Sequence, residues 1–211
     1  MSKKTLVAIT TALAATCSLA GVAIAADALP KVTLMVGGID KQIYLEYQLA
    51  QSLGMFKKYG VDMQLSTEQA GGVGAEDAMI SGQVDMAGAW YVHTIDFQQK
   101  GKDVINLIQL AVAPGERIMC ATGSNVKTPA DWKGKSVGVT DIGSGTDDLV
   151  SYVSTRAGLT SKDYTKIAAG QGQTMIAALK YNKAVCGITS QPTVNAITKL
   201  KADLAAAKSE A

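Results

Sequence analysis

What most constrains this chain is a repeated switch of hydrophobic period. Short apolar or alternating runs at residues 32–36, 61–65, 84–89 and 104–112 are separated by stretches of helical spacing at 42–53, 76–80 and 91–99. A period near two marks strands and a period near 3.6 marks helices. Glycine stands at most of the joints, at Gly37-Gly38, Gly54, Gly82 and Gly101. Strands that alternate with helices bury their apolar faces best as a mostly parallel sheet flanked by helices. After Ala113-Pro114-Gly115-Glu116, a strong turn signal, the pattern restarts. Strands are expected at 118–121, 136–140, 164–169 and 185–189, and helices at 147–156, 174–181 and 193–208. The reading is therefore α/β in two lobes, each a mixed, mostly parallel sheet with helices: 26–114 for lobe one, 115–198 for lobe two, and a helical tail over 199–211.

Residues 1–25 are set apart. Lys3 and Lys4 precede an uncharged stretch that ends in Ala23-Ile24-Ala25. A basic start, an apolar core and a small-x-small end form a secretory signal peptide, cleaved near Ala25. The expected location is thus periplasmic. The formal charge of +2 falls to zero once Lys3 and Lys4 leave. With no basic run and no aromatic-basic interleaving, nucleic acid is not an expected partner. Later stretches are too short in apolar residues to span a bilayer.

Cys120 and Cys186 remain after export. An oxidising compartment permits a bridge, but both lie in apolar strand-like runs, and two buried thiols are the favoured expectation. Two cysteines and the lone His93 are too few for a structural zinc site, and no metal, cofactor or catalytic residue is assigned.

The stretch Trp132-Lys133-Gly134-Lys135-Ser136 imitates a phosphate loop. A genuine one needs a glycine five residues before Gly134, where Pro129 stands, and a helix after the serine, where Val137-Gly138-Val139 reads as strand. Gly143-Ser144-Gly145 lacks a third glycine at dinucleotide spacing. Neither a nucleotide hydrolase nor a Rossmann cofactor site is supported.

Several motifs carry a family resemblance. Gly54-Met55-Phe56-Lys57-Lys58-Tyr59-Gly60-Val61-Asp62-Met63 resembles a signature of the type II periplasmic solute-binding proteins. Ser81-Gly82-Gln83-Val84-Asp85, Asp131 to Val139, Gly143-Ser144-Gly145-Thr146 and Ala177-Ala178-Leu179 follow in the order expected of that family. The branch resembled is the nitrate/sulfonate/bicarbonate and taurine type, which includes thiamine-precursor (NMT1-like) binders. The resemblance covers about residues 31–198. It implies two lobes hinged near Ala113 to Gly115, with a ligand cleft between them. Members also return from lobe two to complete lobe one, and that return segment is missing here, so the chain reads as C-terminally shortened.

Ligands of open α/β sheets lie outside the carboxyl ends of the strands. That places Gly38, Ile39, Asp40 and Tyr44 after the first strand, Gly71 and Gly72 after the second, and Trp90 and Tyr91 after the third as candidate ligand-binding residues. In lobe two, Ser144, Gly145 and Thr146 open a helix whose N–H groups and dipole suit a ligand, and Gln171 follows a strand. Alternatives stand beside these: Asp147 and Asp148 capping the helix, Asp40 capping its own, Trp90 packing between helices. His93 is expected to be structural. The function implied is capture of a small polar, anionic or aromatic organic solute of the sulfonate, nitrate or thiamine-precursor class. The bound solute would pass to an ABC permease with a separate ATPase subunit, the binding protein itself acting as a monomer. The alternative is a truncated, non-transporting remnant that binds a partner; enzyme chemistry is disfavoured.

Overall fold

The computed structural model describes residues 28–209; the expected signal peptide lies outside them. Two separate sheets form. The first has strands β1 (Lys31–Val36), β2 (Asp62–Thr67) and β3 (Met86–Gly88), all parallel in the order β2-β1-β3. Helices α1 (Leu45–Ser52), α2 (Met55–Lys58), α3 (Gly72–Ile80) and α4 (Tyr91–Gln99) connect and flank them. The second sheet has β4 (Arg117–Cys120), β5 (Ser136–Val139), β6 (Thr165–Ala168) and β7 (Cys186–Thr189) in the order β4-β7-β5-β6. Only β4 runs antiparallel there. Helices α5 (Gly145–Arg156), α6 (Gln173–Lys180) and α7 (Gln191–Ser209) complete this unit.

Each sheet has its own core. Leu34, Val36 and Tyr44 form the first, backed by Met63, Leu65 and Met86. Trp132, Val137, Val139, Val150, Leu159, Tyr164, Cys186 and Ile188 form the second. The short apolar runs read from the sequence explain this placement. β5 and β7 run through the middle of their sheet, and every residue from Val137 to Val139 and from Cys186 to Thr189 is buried. Gly54, at φ +67°, reverses the chain between α1 and α2, a left-handed conformation that a side chain would resist.

Three expectations need correction. The apolar run at 104–112 is not a strand: only Val104 is buried, while Ile105, Leu107, Ile108 and Val112 are exposed. A strand exists only through its ladder, and this run has no hydrogen-bonded strand partner among the described residues. The cysteines are not free thiols, because Cys120 and Cys186 are bonded, facing each other in the β4–β7 ladder. Their apolar surroundings and their pairing turn out to be compatible. Helix α3 begins at Gly72 rather than near Glu76, so the glycine-rich stretch is partly helical. Within it Gly74 leaves room for the Glu68 carboxyl group, which a Cβ there would approach to 2.6 Å.

Helix α3 also buries a carboxyl group. Glu76 is 4% exposed, and its Oε2 has no hydrogen-bond partner. Burial, helped by Asp77 and Asp96, pushes its pKa up to about 8. The folded state therefore holds a proton that the unfolded chain, with a carboxyl pKa of about 4.3, releases as pH rises. This contribution to stability is full below the unfolded value and is lost as pH climbs toward 8. Urea melts from pH 5 to pH 9 should show that decline, and Glu76→Gln should flatten it.

Candidate functional site

The carboxyl ends of both sheets turn toward one another. On the first sheet, the chain leaves β1 at Gly37-Gly38, where a Cβ on Gly37 would sit 2.1 Å from the Gly71 carbonyl carbon. The loops after β1 and β2 thus touch backbone to backbone, which only glycine permits. Thr67 Oγ1 accepts from the N–H groups of Gly38 and Ile39 at 3.2 and 3.0 Å. Glu68 follows β2, and its Oε2 accepts from Ala70 N–H at 2.7 Å. Trp90 follows β3 and precedes α4.

On the second sheet, β5 ends in a cluster of hydroxyls. Thr140 N–H donates to Thr146 Oγ1 at 2.8 Å, Thr140 Oγ1 donates to Ser144 Oγ at 2.9 Å, and Ser144 Oγ donates to the Asp141 carbonyl at 2.7 Å. Ser144 caps α5 by accepting from Asp147 N–H. Asp147 Oδ2 accepts from Gly143 N–H at 2.8 Å, and Asp141 Oδ1 from Ile142 N–H at 2.7 Å. Asp147 is ion-paired with Lys166. The start of α5 is therefore occupied by the chain's own carboxylates and hydroxyls.

Several contacts join the two units. Gln171 Nε2 donates to the Glu68 carbonyl at 2.9 Å, and the same amide lies over Gly38. A Cβ on Gly71 would come within 2.9 Å of Thr140 Oγ1. A Cβ on Gly145 would lie 2.4 Å from the Trp90 ring. The glycines at these points let the two rims meet.

The candidates read from the sequence divide accordingly. Gly38, Gly71, Trp90, Ser144, Gly145 and Gln171 converge on the junction, with Thr146 packed behind Ser144. Tyr44 is 4% exposed within the first core, where burial holds its phenol well above the usual range. Gly72 faces Ala89 and His93 inside the first unit. Ile39 is half-buried, its carbonyl accepting from Gln48 Nε2 at 2.6 Å. Asp40 and Tyr91 are exposed. His93 is buried, and burial lowers its pKa, in keeping with a structural role.

Three charged residues at the junction were not read as site residues. Lys41 is 8% exposed, and burial lowers its pKa against the pull of Glu116, Asp40 and Glu68. Burial raises the pKa of Glu68 and of Glu116, in each case opposed in part by Lys41. Lys41 makes no ion pair within 4 Å among the described residues. A cavity of about 690 Å³, lined in part by Tyr44, Trp90 and Glu116, lies beside the run at 104–112.

Gly145→Ala tests whether the Trp90 contact holds the units together. The added methyl must displace the indole, at a cost of roughly 1–3 kcal/mol. We expect a larger radius of gyration by small-angle scattering, with the far-ultraviolet spectrum unchanged.

Comparisons with known proteins agree with this architecture. Residues 44–207 match the family described as "NMT1/THI5 like". A protein of Bordetella bronchiseptica RB50 of solved structure is 29% identical, with a TM-score of 0.71 over 81% of this chain and 54% of that one. The alkanesulfonate-binding protein SsuA of Xanthomonas axonopodis pv. citri is 21% identical, with a TM-score of 0.68 over 81% and 58% of the two chains. The periplasmic nitrate-binding protein NrtA of Synechocystis PCC 6803 is 20% identical, with a TM-score of 0.63 over 78% and 47%. The 4-amino-5-hydroxymethyl-2-methylpyrimidine phosphate synthase THI5 of Saccharomyces cerevisiae is 25% identical over 66% of this chain. The chain spans 41% of that relative and about half the length of these solved structures. With the match running through both sheets, the chain belongs to the NMT1/THI5-like family and has the fold of the type II periplasmic binding proteins.

Proposed function

We propose that the chain is the solute-binding component of an ABC importer, capturing a small organic solute between its two lobes. The observation that carries this reading is the convergence of both carboxyl-edge rims on one junction, bridged by Gln171 on Glu68 and by Trp90 on Gly145. Clefts of this kind close when a ligand adds contacts to both sides, the chain bending at a few connecting residues. Ala113 to Gly115 are those residues here, and the lobes span 26–114 and 115–198. The loaded protein would be a periplasmic monomer that delivers its solute to a membrane permease served by a separate ATPase subunit. Turnover is not proposed, and Cys120 and Cys186, being joined to each other, offer no thiolate nucleophile.

A thermal-shift screen with alkanesulfonates, nitrate, thiamine precursors and aromatic acids tests the reading. A ligand present at a hundred times its dissociation constant should add about 2.7 kcal/mol to the unfolding free energy. The alternative, a non-transporting protein that binds a partner, draws on the exposed apolar run at 104–112. A flat screen would favour it.

A further inference from the structure

We propose that the open edge of β3 takes one strand of a separate polypeptide, an apolar segment carrying Lys or Arg, in the slot between β3 and the run at 104–112. This goes beyond solute capture at the rims and does not depend on it. β3 pairs with β1 on one side only. Asp85 N–H donates to the Thr33 carbonyl of β1 at 3.2 Å. Backbone groups alternate sides along a strand, so the N–H and C=O of Met86 and Gly88 point to the other side. No backbone partner meets them there among the described residues. Across the slot, no backbone–backbone hydrogen bond joins residues 103–116 to the rest of the described chain. Unpaired backbone groups are costly where water is excluded, and a bare strand edge is a template for another strand.

The 690 Å³ cavity lies between these two surfaces, since β3 with its flanks and the whole run line it together. At a rise of about 3.3 Å, a strand spacing of about 4.8 Å and a layer thickness of about 10 Å, one residue of a packed strand fills roughly 160 Å³. The cavity thus holds about four residues, a short strand to match the three of β3. Tyr47, Met79 and Met86 make its wall apolar, and Ile105, Leu107 and Ile108 opposite are 64–72% exposed. A small apolar molecule would cover those side chains and leave both rows of backbone groups unpaired. Only another backbone repeats donors and acceptors at strand spacing. The charge of the segment follows from the walls. Four carboxyl groups line the cavity, Glu76, Asp85, Asp103 and Glu116, against one ammonium, Lys102. Even with Glu76 protonated, negative charge prevails. Oε2 of Glu76 and Oε2 of Glu116 are buried without a hydrogen-bond partner. Lys or Arg on the incoming segment brings both the opposite charge and the missing donors.

The test is fluorescence polarisation of labelled heptapeptides with the chain from Ala26 onward. The peptides carry Lys at both ends and Val, Ile, Leu, Thr or Ser at the five inner positions. The best of them should bind saturably. N-methylation of alternate inner residues removes the donors of one edge and keeps every side chain. It should weaken binding at least about tenfold, the loss of one or two hydrogen bonds, and Glu in place of both Lys should do the same. Met86→Pro should match that loss, because its N–H faces away from β1 and an edge strand accepts proline at such a position. Leu107→Lys, at an exposed position, sets a like charge on the opposite wall and should also weaken binding. Circular dichroism of both variants guards against a folding defect in one. No binding by any peptide, equal binding of the N-methylated form, or unchanged binding in both variants would overturn the inference. So would a dimer by gel filtration that excludes the peptides, since the occupant would then be a second copy. Solute binding is read separately, by the thermal-shift screen, and stands or falls on that result alone.

Discussion

Trp132→Ala should lower the stability of the second unit by about 3–5 kcal/mol, among the largest losses open to a single substitution in this chain. The indole is fully buried, packs at 6.0 Å against the Tyr164 ring, and touches the core built from β5, β7 and α5. No neighbouring side chain can refill that volume without leaving its own rotamer, so most of it would remain a cavity. Trp132→Phe separates packing from polarity. The indole Nε1 has no hydrogen-bond partner, so phenylalanine gives up volume but also removes an unpaired buried donor. Its expected cost is smaller than that of Trp132→Ala, because less of the buried volume is lost. Urea denaturation of both variants, followed by far-ultraviolet circular dichroism, reads the difference.

Reducing the Cys120–Cys186 bond should be nearly as damaging. The bridge spans 66 residues, and closing a loop of that length removes about 4 kcal/mol of chain entropy from the unfolded state. For a unit of fewer than about 100 residues that unfolds on its own, that corresponds to a fall in Tm of roughly 16–32 °C. Both sulfurs belong to one sheet, so the loss should appear only in the second unit's transition. Calorimetry with and without dithiothreitol checks this, with Cys120→Ser/Cys186→Ser as a control that reductant cannot affect. A uniform shift of the whole profile would mean that the two units unfold as one.

Much of this architecture was legible because hydrophobic period and glycine punctuation act locally. The runs that became β1, β2, β5 and β7 carry their strand signal within six residues, and Gly54 announces the chain reversal that the structure shows. The run at 104–112 is as apolar as any of these, yet it lies alone. Apolar sequence marks a tendency to pair, and pairing needs a neighbour that a local pattern cannot supply. The disulfide was hidden for a related reason, since only the β4–β7 register brings residues 66 apart into opposition.

At the site, residues next to glycine were readable, because glycine in a strand-end loop marks close backbone approach. Gly38, Gly71 and Gly145 do meet the opposite rim. Lys41, Glu68 and Glu116 gave no such sign. A charged residue in a loop looks solvent-exposed in sequence, and these are brought together only when three separate loops fold over one another. The hydroxyls of Ser144 and Thr146 were read for ligand contact, with Asp147 and Asp148 as the alternative caps; in the structure Ser144 caps α5 and Thr146 Oγ1 accepts from Thr140 N–H.

The uncovered run after Val104 has a practical meaning for anyone handling the protein. The two cores share no residue, and the peptide between them offers Leu107 and Ile108 to a protease such as thermolysin. A single cut there would leave each fragment with its sheet and its apolar interior entire. The halves would then be held by contacts such as the Gln171 and Trp90 bridges and the glycine surfaces between them, so a brief digest, run on a native gel with and without solute, becomes a direct gauge of how firmly the cleft is shut.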